Sequence, residues 1–132
     1  MAVYVWDYGD NMQLMRAFWD AARELDAAAA ELDEAARFPI CKPAPLLALA
    51  RDAGLRDPDV VPIDVDTVFR DFDDYWSPFL GGHAPAPAYA MSLRPAERER
   101  LRERIRSRLP AEVDGTIRLV ARAWALRATA PS

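Results

Sequence analysis

Cysteine occurs once, at position 41, so no disulfide can close within the chain. That fits a reducing compartment. Histidine also occurs once, at position 83. A lone imidazole without clustered ligands makes no metal site. Glycine is scarce, with only Gly9, Gly54, Gly81, Gly82 and Gly115. None makes a Gly-x-Gly pattern between a strand and a helix. The tight turn that lets a backbone approach a nucleotide-like cofactor is therefore missing. No apolar run approaches the roughly 20 residues that span a bilayer. The amino-terminal segment lacks the basic region and long apolar stretch of a secretory signal. Basic charge is not in excess either: 17 Lys and Arg face 21 Asp and Glu, a net charge of −4. That argues against a general phosphate-binding surface. These absences predict a cytoplasmic protein with no membrane or nucleic-acid partner, and with no cofactor or metal bound by this chain alone.

What is present suits one soluble domain spanning residues 1–132. The hydrophobic content is 52%, and the length supports a single core. Met1 to Tyr8 is a continuous apolar run ending in a polar, aromatic tip, which predicts a strand that wants neighbours on both edges. Leu14, Met15, Phe18, Trp19, Ala22 and Leu25 recur at helical spacing, predicting a helix over about 11–26. Ala27 to Ala36 is alanine-rich with little apolar surface and reads as a partly exposed helix or a connection. Pro39, Pro43 and Pro45 keep the chain extended to about Lys42, and a short helix then ends at Gly54.

Val61, Ile63 and Val65 alternate with Asp64 and Asp66, predicting a half-exposed strand over 60–68. Pro62 has no N–H to give, which places that strand at an edge or near a bulge. Asp71 or Asp73 can cap a short aromatic helix, with Gly81-Gly82 as its stop. His83 to Tyr89 reads as a proline–alanine loop. Leu93 to Leu109 is an arginine-rich helix with Leu101, Ile105 and Leu109 as a narrow stripe. Asp114-Gly115 turns the chain into a last strand over 116–128. In it Arg118, Val120, Arg122 and Trp124 share one face, and Ile117, Leu119, Ala121 and Ala123 the other.

Several stretches together resemble class I S-adenosylmethionine-dependent methyltransferases, in particular the UbiE/COQ5-like small-molecule branch. They are Val3-Tyr-Val-Trp-Asp-Tyr8, Met12-Gln-Leu-Met15 and Phe18-Trp-Asp-Ala-Ala22. Phe38-Pro-Ile-Cys-Lys-Pro43, Phe72-Asp-Asp-Tyr-Trp-Ser-Pro-Phe-Leu-Gly-Gly82 and Leu119-Val-Ala-Arg-Ala-Trp-Ala-Leu126 complete the set. The resemblance covers nearly the whole chain but only the second half of the family's domain. It implies an α/β fold, the carboxyl-terminal portion of a Rossmann-like methyltransferase. The sheet would be three-stranded and mixed, in the order first, last, middle, with helices on both faces. It also implies that the donor-binding half lies elsewhere. S-adenosylmethionine would then bind only with a donor-half partner.

Two groups of residues are candidates for binding an acceptor. Trp6, Asp7 and Tyr8 end the first strand, and ligands of open α/β sheets sit beyond strand carboxyl ends. The resemblance puts the methyl acceptor at this edge, with Asp7 as proton acceptor and Tyr8 as positioner. The competing reading makes Asp7 a cap and Tyr8 a packing residue. Phe18, Trp19, Tyr75, Trp76 and Phe79 could line a pocket for a small apolar acceptor. The competing reading is an ordinary core filling, which aromatic residues at helical spacing favour. Cys41 has no basic neighbour to make a thiolate and reads as a small buried hydrophobe. No residue is singled out as catalytic. Asp71, Asp73 and Asp74 lack the spacing of a calcium loop and suit a helix amino terminus. The arginines of 98–108 alternate with Glu97, Glu99 and Glu103, the pattern of a solvated face.

Three functions follow. The chain is the acceptor-side half of a small-molecule methyltransferase, inactive alone. Or it is one chain of a split methyltransferase. Or it is a non-catalytic homodimeric binding module. The apolar edge at residues 2–6 carries no proline, lysine or bulge glycine to protect it. It predicts either a homodimer near Val3, Val5 and the first helix, or pairing with a donor-half chain.

Overall fold

The last strand organises the molecule. In the computed structural model, which describes residues 1–81 and 83–131, β3 (Ile117–Thr129) lies between β1 (Ala2–Trp6) and β2 (Arg56–Phe69). The order β1-β3-β2 is the one the resemblance implied. The expectation of a mixed sheet is corrected, because both ladders are antiparallel. β1 and β2 run the same way, but the reversed β3 separates them, so no two neighbours are parallel. Gly115 makes the turn into β3 with φ +92°, a conformation that favours glycine. The Asp114 carboxylate accepts from the Thr116 N–H beside it at 3.0 Å.

The helices follow from their caps and prolines. α1 (Gln13–Leu25) carries Phe18, Trp19, Ala21 and Ala22 to the interior. A 3-10 turn (Ala27–Glu31) and the one-turn α2 (Glu34–Arg37) follow, each capped by an aspartate, Asp26 or Asp33. α3 (Pro43–Asp52) starts earlier than its leucines suggest, because Pro43 and Pro45 sit in its first turn, where no N–H is needed. Asp71 caps α4 (Phe72–Trp76), which runs into a 3-10 turn (Ser77–Leu80).

The proline–alanine stretch expected to be a loop instead forms α5 (Pro85–Ser92). Its prolines also fall in the first turn, and Ala86, Tyr89 and Ala90 are buried. Tertiary burial supplied what local periodicity did not show. α6 (Pro95–Arg108) buries Leu101 and Ile105. The expected Gly81-Gly82 stop is met only as Gly81 after the 3-10 turn; Gly82 lies outside the described residues.

The two faces of the sheet are covered at opposite ends. Ile117 and Leu119 of β3, with Phe69 of β2, pack into the main core beneath α1, α4 and α6. On the other face α3 lies against β2 and β3, where Leu126 is buried. Between these ends the first face is bare. Val61, Ile63 and Val65 do share one face, but it is open, at 37%, 41% and 49% exposed. Tyr4 and Trp6 stand on the same face at 64% and 41%. Val3 and Val5 point to the opposite face and are half-buried.

Candidate functional site

The tip of β1 is built by a short detour of the chain. Asp7 N–H donates to the Arg122 carbonyl at 2.8 Å, continuing the β1 ladder. The Asp7 carbonyl then accepts from the N–H groups of Asn11 and Met12, at 3.3 and 3.0 Å. These bonds fold residues 7–12 into a tight turn. Beyond it the chain rejoins the edge of β3: Arg122 N–H donates to the Asn11 carbonyl at 3.0 Å. The Gln13 side chain accepts from Val120 N–H at 2.7 Å. Met12 precedes α1 without a side-chain cap, because Asn11 is committed to Asp7.

The structure separates the three tip residues. Trp6 stands on the bare sheet face. Asp7 is turned inward and is 1% exposed. Its Oδ2 accepts from Asn11 Nδ2 at 2.8 Å, while Oδ1 has no hydrogen-bond partner among the described residues. A buried carboxylate oxygen left unpaired carries a desolvation cost, so it calls for an explanation. Tyr8 is half-buried against Phe38, with ring centroids 6.1 Å apart. Burial, and the negative charge of Glu34 nearby, push its hydroxyl up from the ordinary value, so it stays protonated and able to donate.

The segment 38–42 closes over this tip. A Cβ at Gly9 would meet Lys42 Cε at 3.1 Å, so the lysine stem runs close over the turn. Cys41 is buried, and burial together with the Asp7 charge raises its thiol. It is therefore a thiol, not a nucleophilic thiolate. Arg122 lies on the same side of the sheet as Asp7. It is bound in bidentate fashion by Asp64, at 2.6 and 2.9 Å. That bond raises the guanidinium and holds the Asp64 carboxyl below the usual range. The arrangement offers one unpaired carboxylate oxygen and one neutral phenol at the end of a strand. It can accept a proton or hydrogen bond from a hydroxyl or amine, provided residues 38–42 move to admit it.

The other five candidate residues lie apart from this tip, in the core. Phe18, Trp19, Tyr75, Trp76 and Phe79 are all buried. Phe18 stacks on Phe79 at 4.7 Å and meets Trp19 edge-on at 5.0 Å. Tyr75 donates its hydroxyl to the Leu14 carbonyl at 2.7 Å, pinning α4 to α1. Burial pushes that phenol far up. Trp76 also borders a surface groove, with Asp73, Arg98 and Arg102 among its walls.

A buried polar network was not legible from composition. Glu34 accepts from Trp19 Nε1 at 2.5 Å, and Arg16 binds the buried Asp33 carboxylate. Asp33 also accepts from Ala35 N–H at 2.9 Å. The only local signal was an Asp-Glu pair ahead of Ala35-Ala36, the pattern of a helix start. Four arginines of α6 are engaged by other elements of the protein. Arg102 pairs with Asp73 at 3.0 Å, Arg104 and Arg108 hold Glu24, and Arg98 donates to the Ala90 and Leu93 carbonyls.

Asp74 serves the turn before α4, accepting from Arg70 N–H at 3.0 Å. Among the described residues no cluster of three or more His, Cys, Asp or Glu is placed to hold a metal ion. Among them, too, no helix is long and apolar enough to cross a membrane. His83 is exposed, ahead of α5. The chain matches no protein-family model and none of the curated proteins.

Proposed function

We propose that this chain is the acceptor side of a small-molecule methyltransferase fold, inactive until a donor-binding half is supplied. The observation that carries the reading is Asp7: a buried carboxylate with one oxygen unpaired, at the carboxyl end of a strand. A group kept at such a cost suits a site that receives an acceptor hydroxyl or amine. The strand order, with a reversed last strand in the middle, agrees with the arrangement the resemblance implies. Asp7 takes the proton-accepting role and Tyr8 the positioning role. S-adenosylmethionine has no place on this chain alone, since no glycine-rich turn follows a strand.

The test uses a second protein carrying a strand–Gly-x-Gly–helix donor half, fused ahead of Met1. The fusion should move a labelled methyl group from S-adenosylmethionine to one of a panel of small hydroxylated acceptors. Asp7→Asn should abolish the transfer while leaving donor binding intact. The unfused chain should show no heat of S-adenosylmethionine binding in titration calorimetry. Micromolar affinity for the unfused chain, about −8 kcal/mol, would overturn the division of labour. A fusion that binds donor but methylates no acceptor would overturn the reading itself.

A second reading has its own observation. The uncovered apolar face of the sheet, Tyr4 and Trp6 with Val61, Ile63 and Val65, favours a non-catalytic module that associates through that face.

A further inference from the structure

The bare sheet face has a relief as well as a composition. Ladder register puts three rows side by side. Tyr4 pairs with Ala125 and Trp6 with Ala123. Val61, Ile63 and Val65 pair with Ala125, Ala123 and Ala121. Paired residues in a sheet project to the same side, so a row of alanines runs between an aromatic row and a branched aliphatic row. The result is a trough with tall walls, enclosing about 290 Å³ between Tyr4, Trp6, Ile63, Val65 and Ala123. No charged residue falls in these three rows between residues 121 and 125 of β3. The first ion pair on this face, Arg127 with Asp59 at 3.0 Å, lies past its end.

A wall and a trough on adjacent strands are complementary to each other. A two-fold axis parallel to the strands, above the gap between β1 and β3, carries the β1 row of each copy onto the β3 row of the other. The aromatic ridge of one copy then lies in the alanine trough of its partner. There it is flanked by the partner's valine and isoleucine side chains. Both ridges seat at once, as an isologous contact requires. The sheets meet face to face at the usual spacing of about 10 Å.

We infer that this face is the contact between two copies of the chain. The exposed parts of the five large side chains amount to roughly 400–500 Å² of apolar surface per copy. A pair of faces therefore buries at most about 800–1,000 Å², at the lower edge of what a specific interface needs. The dimer is accordingly weak and dependent on concentration. The inference stands independently of the methyltransferase reading and differs from strand-edge pairing. Edge pairing would use the backbone of Ala2, Tyr4 and Trp6. Their N–H and C=O groups point away from β3, because Met1 and Asp7 hold the odd-numbered register positions that bond to it.

Sedimentation velocity of the full chain from about 10 µM to about 1 mM separates the two contacts. Ala123→Glu puts a carboxylate in the trough at a position that stays reachable by water in the monomer. Ala2→Pro removes an outward N–H from the edge and leaves the face intact. The wild type should shift from monomer to dimer across this range. Ala123→Glu should weaken association at least tenfold with its near-ultraviolet circular dichroism unchanged, while Ala2→Pro should dimerise as the wild type does. A wild type that stays monomeric at about 1 mM would overturn the inference. So would a dimer that Ala123→Glu leaves intact.

Discussion

Two tryptophans show the division within this molecule. Trp76 lies in the core on α4, ringed by Phe18, Phe72 and Phe79 at centroid distances of 5.8–6.5 Å. Trp6 lies on the same side of the sheet as that core, yet stands exposed to water. The difference is which end of the sheet has helices over it. α1, α4 and α6 gather over Ile117, Leu119 and Phe69 and stop there. The opposite end keeps apolar residues with none of the described helices above them. Apolar content alone does not bury a residue; an element must be in reach to cover it.

Shortening each tryptophan should separate the two ends most clearly. Trp76→Ala should lose about 3–5 kcal/mol of stability through a cavity in the stacked cluster. Trp6→Ala, measured at concentrations too low for association, should change stability by no more than about 0.5 kcal/mol. Urea unfolding of the two variants checks both. Equal losses would mean that the bare face is packed in solution even at high dilution.

The next effect is in the polar layer beside the core. Asp33→Ala leaves the Arg16 guanidinium without its main partner and uncaps α2. About 3 kcal/mol should be lost, more than for any surface pair. Glu24→Ala, which frees the exposed Arg104 and Arg108, should lower the melting temperature less than Asp33→Ala does. Thermal melts of the two variants rank them.

Alkaline pH probes the covered end most strongly, because its two phenols are pushed up furthest. The Tyr89 hydroxyl is pushed up to about 12, by burial first and then by its bond to Asp26 at 3.1 Å. Burial moves Tyr75 further in the same direction. Between the ordinary tyrosine value near 10 and these raised values, the unfolded chain holds fewer protons than the native one. Stability present below about pH 10 is therefore lost progressively as pH rises through about 12. Tyr89→Phe should flatten the melting-temperature profile across that window.

The smallest effect has an unusual sign. Asp7→Asn removes a buried charge whose Oδ1 is unpaired. Stability in urea unfolding should stay level or rise slightly, by at most about 1 kcal/mol. A loss above about 1 kcal/mol would show Asp7 to be a structural part of the turn at 7–12 instead of a group held for chemistry.

Much of the architecture was legible because it rests on local chemistry. Helical spacing of Phe18, Trp19 and Ala22 marks α1, and Asp71 ahead of Phe72-Asp-Asp-Tyr-Trp marks α4. Alternation marks β2 and β3 down to the faces their residues share. α5 was not legible. Pro85 and Pro87 look like breakers unless one knows that both fall in a first turn and that Tyr89 is needed by the core. The site was half legible. The strand end at Trp6-Asp7-Tyr8 stands out as a tip, but not that its three side chains diverge, or that Asn11 turns back to Asp7. The helical spacing of the aromatic residues considered for a pocket favours core, and the structure packs them together there.

Most elements other than α5, the order of polar and apolar faces along them, and the lack of a glycine-rich cofactor turn were set by local sequence. Those depend on period, caps and residue type, which act over a few residues. The tertiary structure alone decided which apolar face is covered and which stays open. It also decided that Asp33 and Glu34 are buried with partners, and that one oxygen of Asp7 is buried without one. These are matters of which distant segments meet. Alternation along a strand cannot reveal them, because Ile63 on the bare face and Ile117 in the core carry the same local signal and differ only in whether a helix lies above.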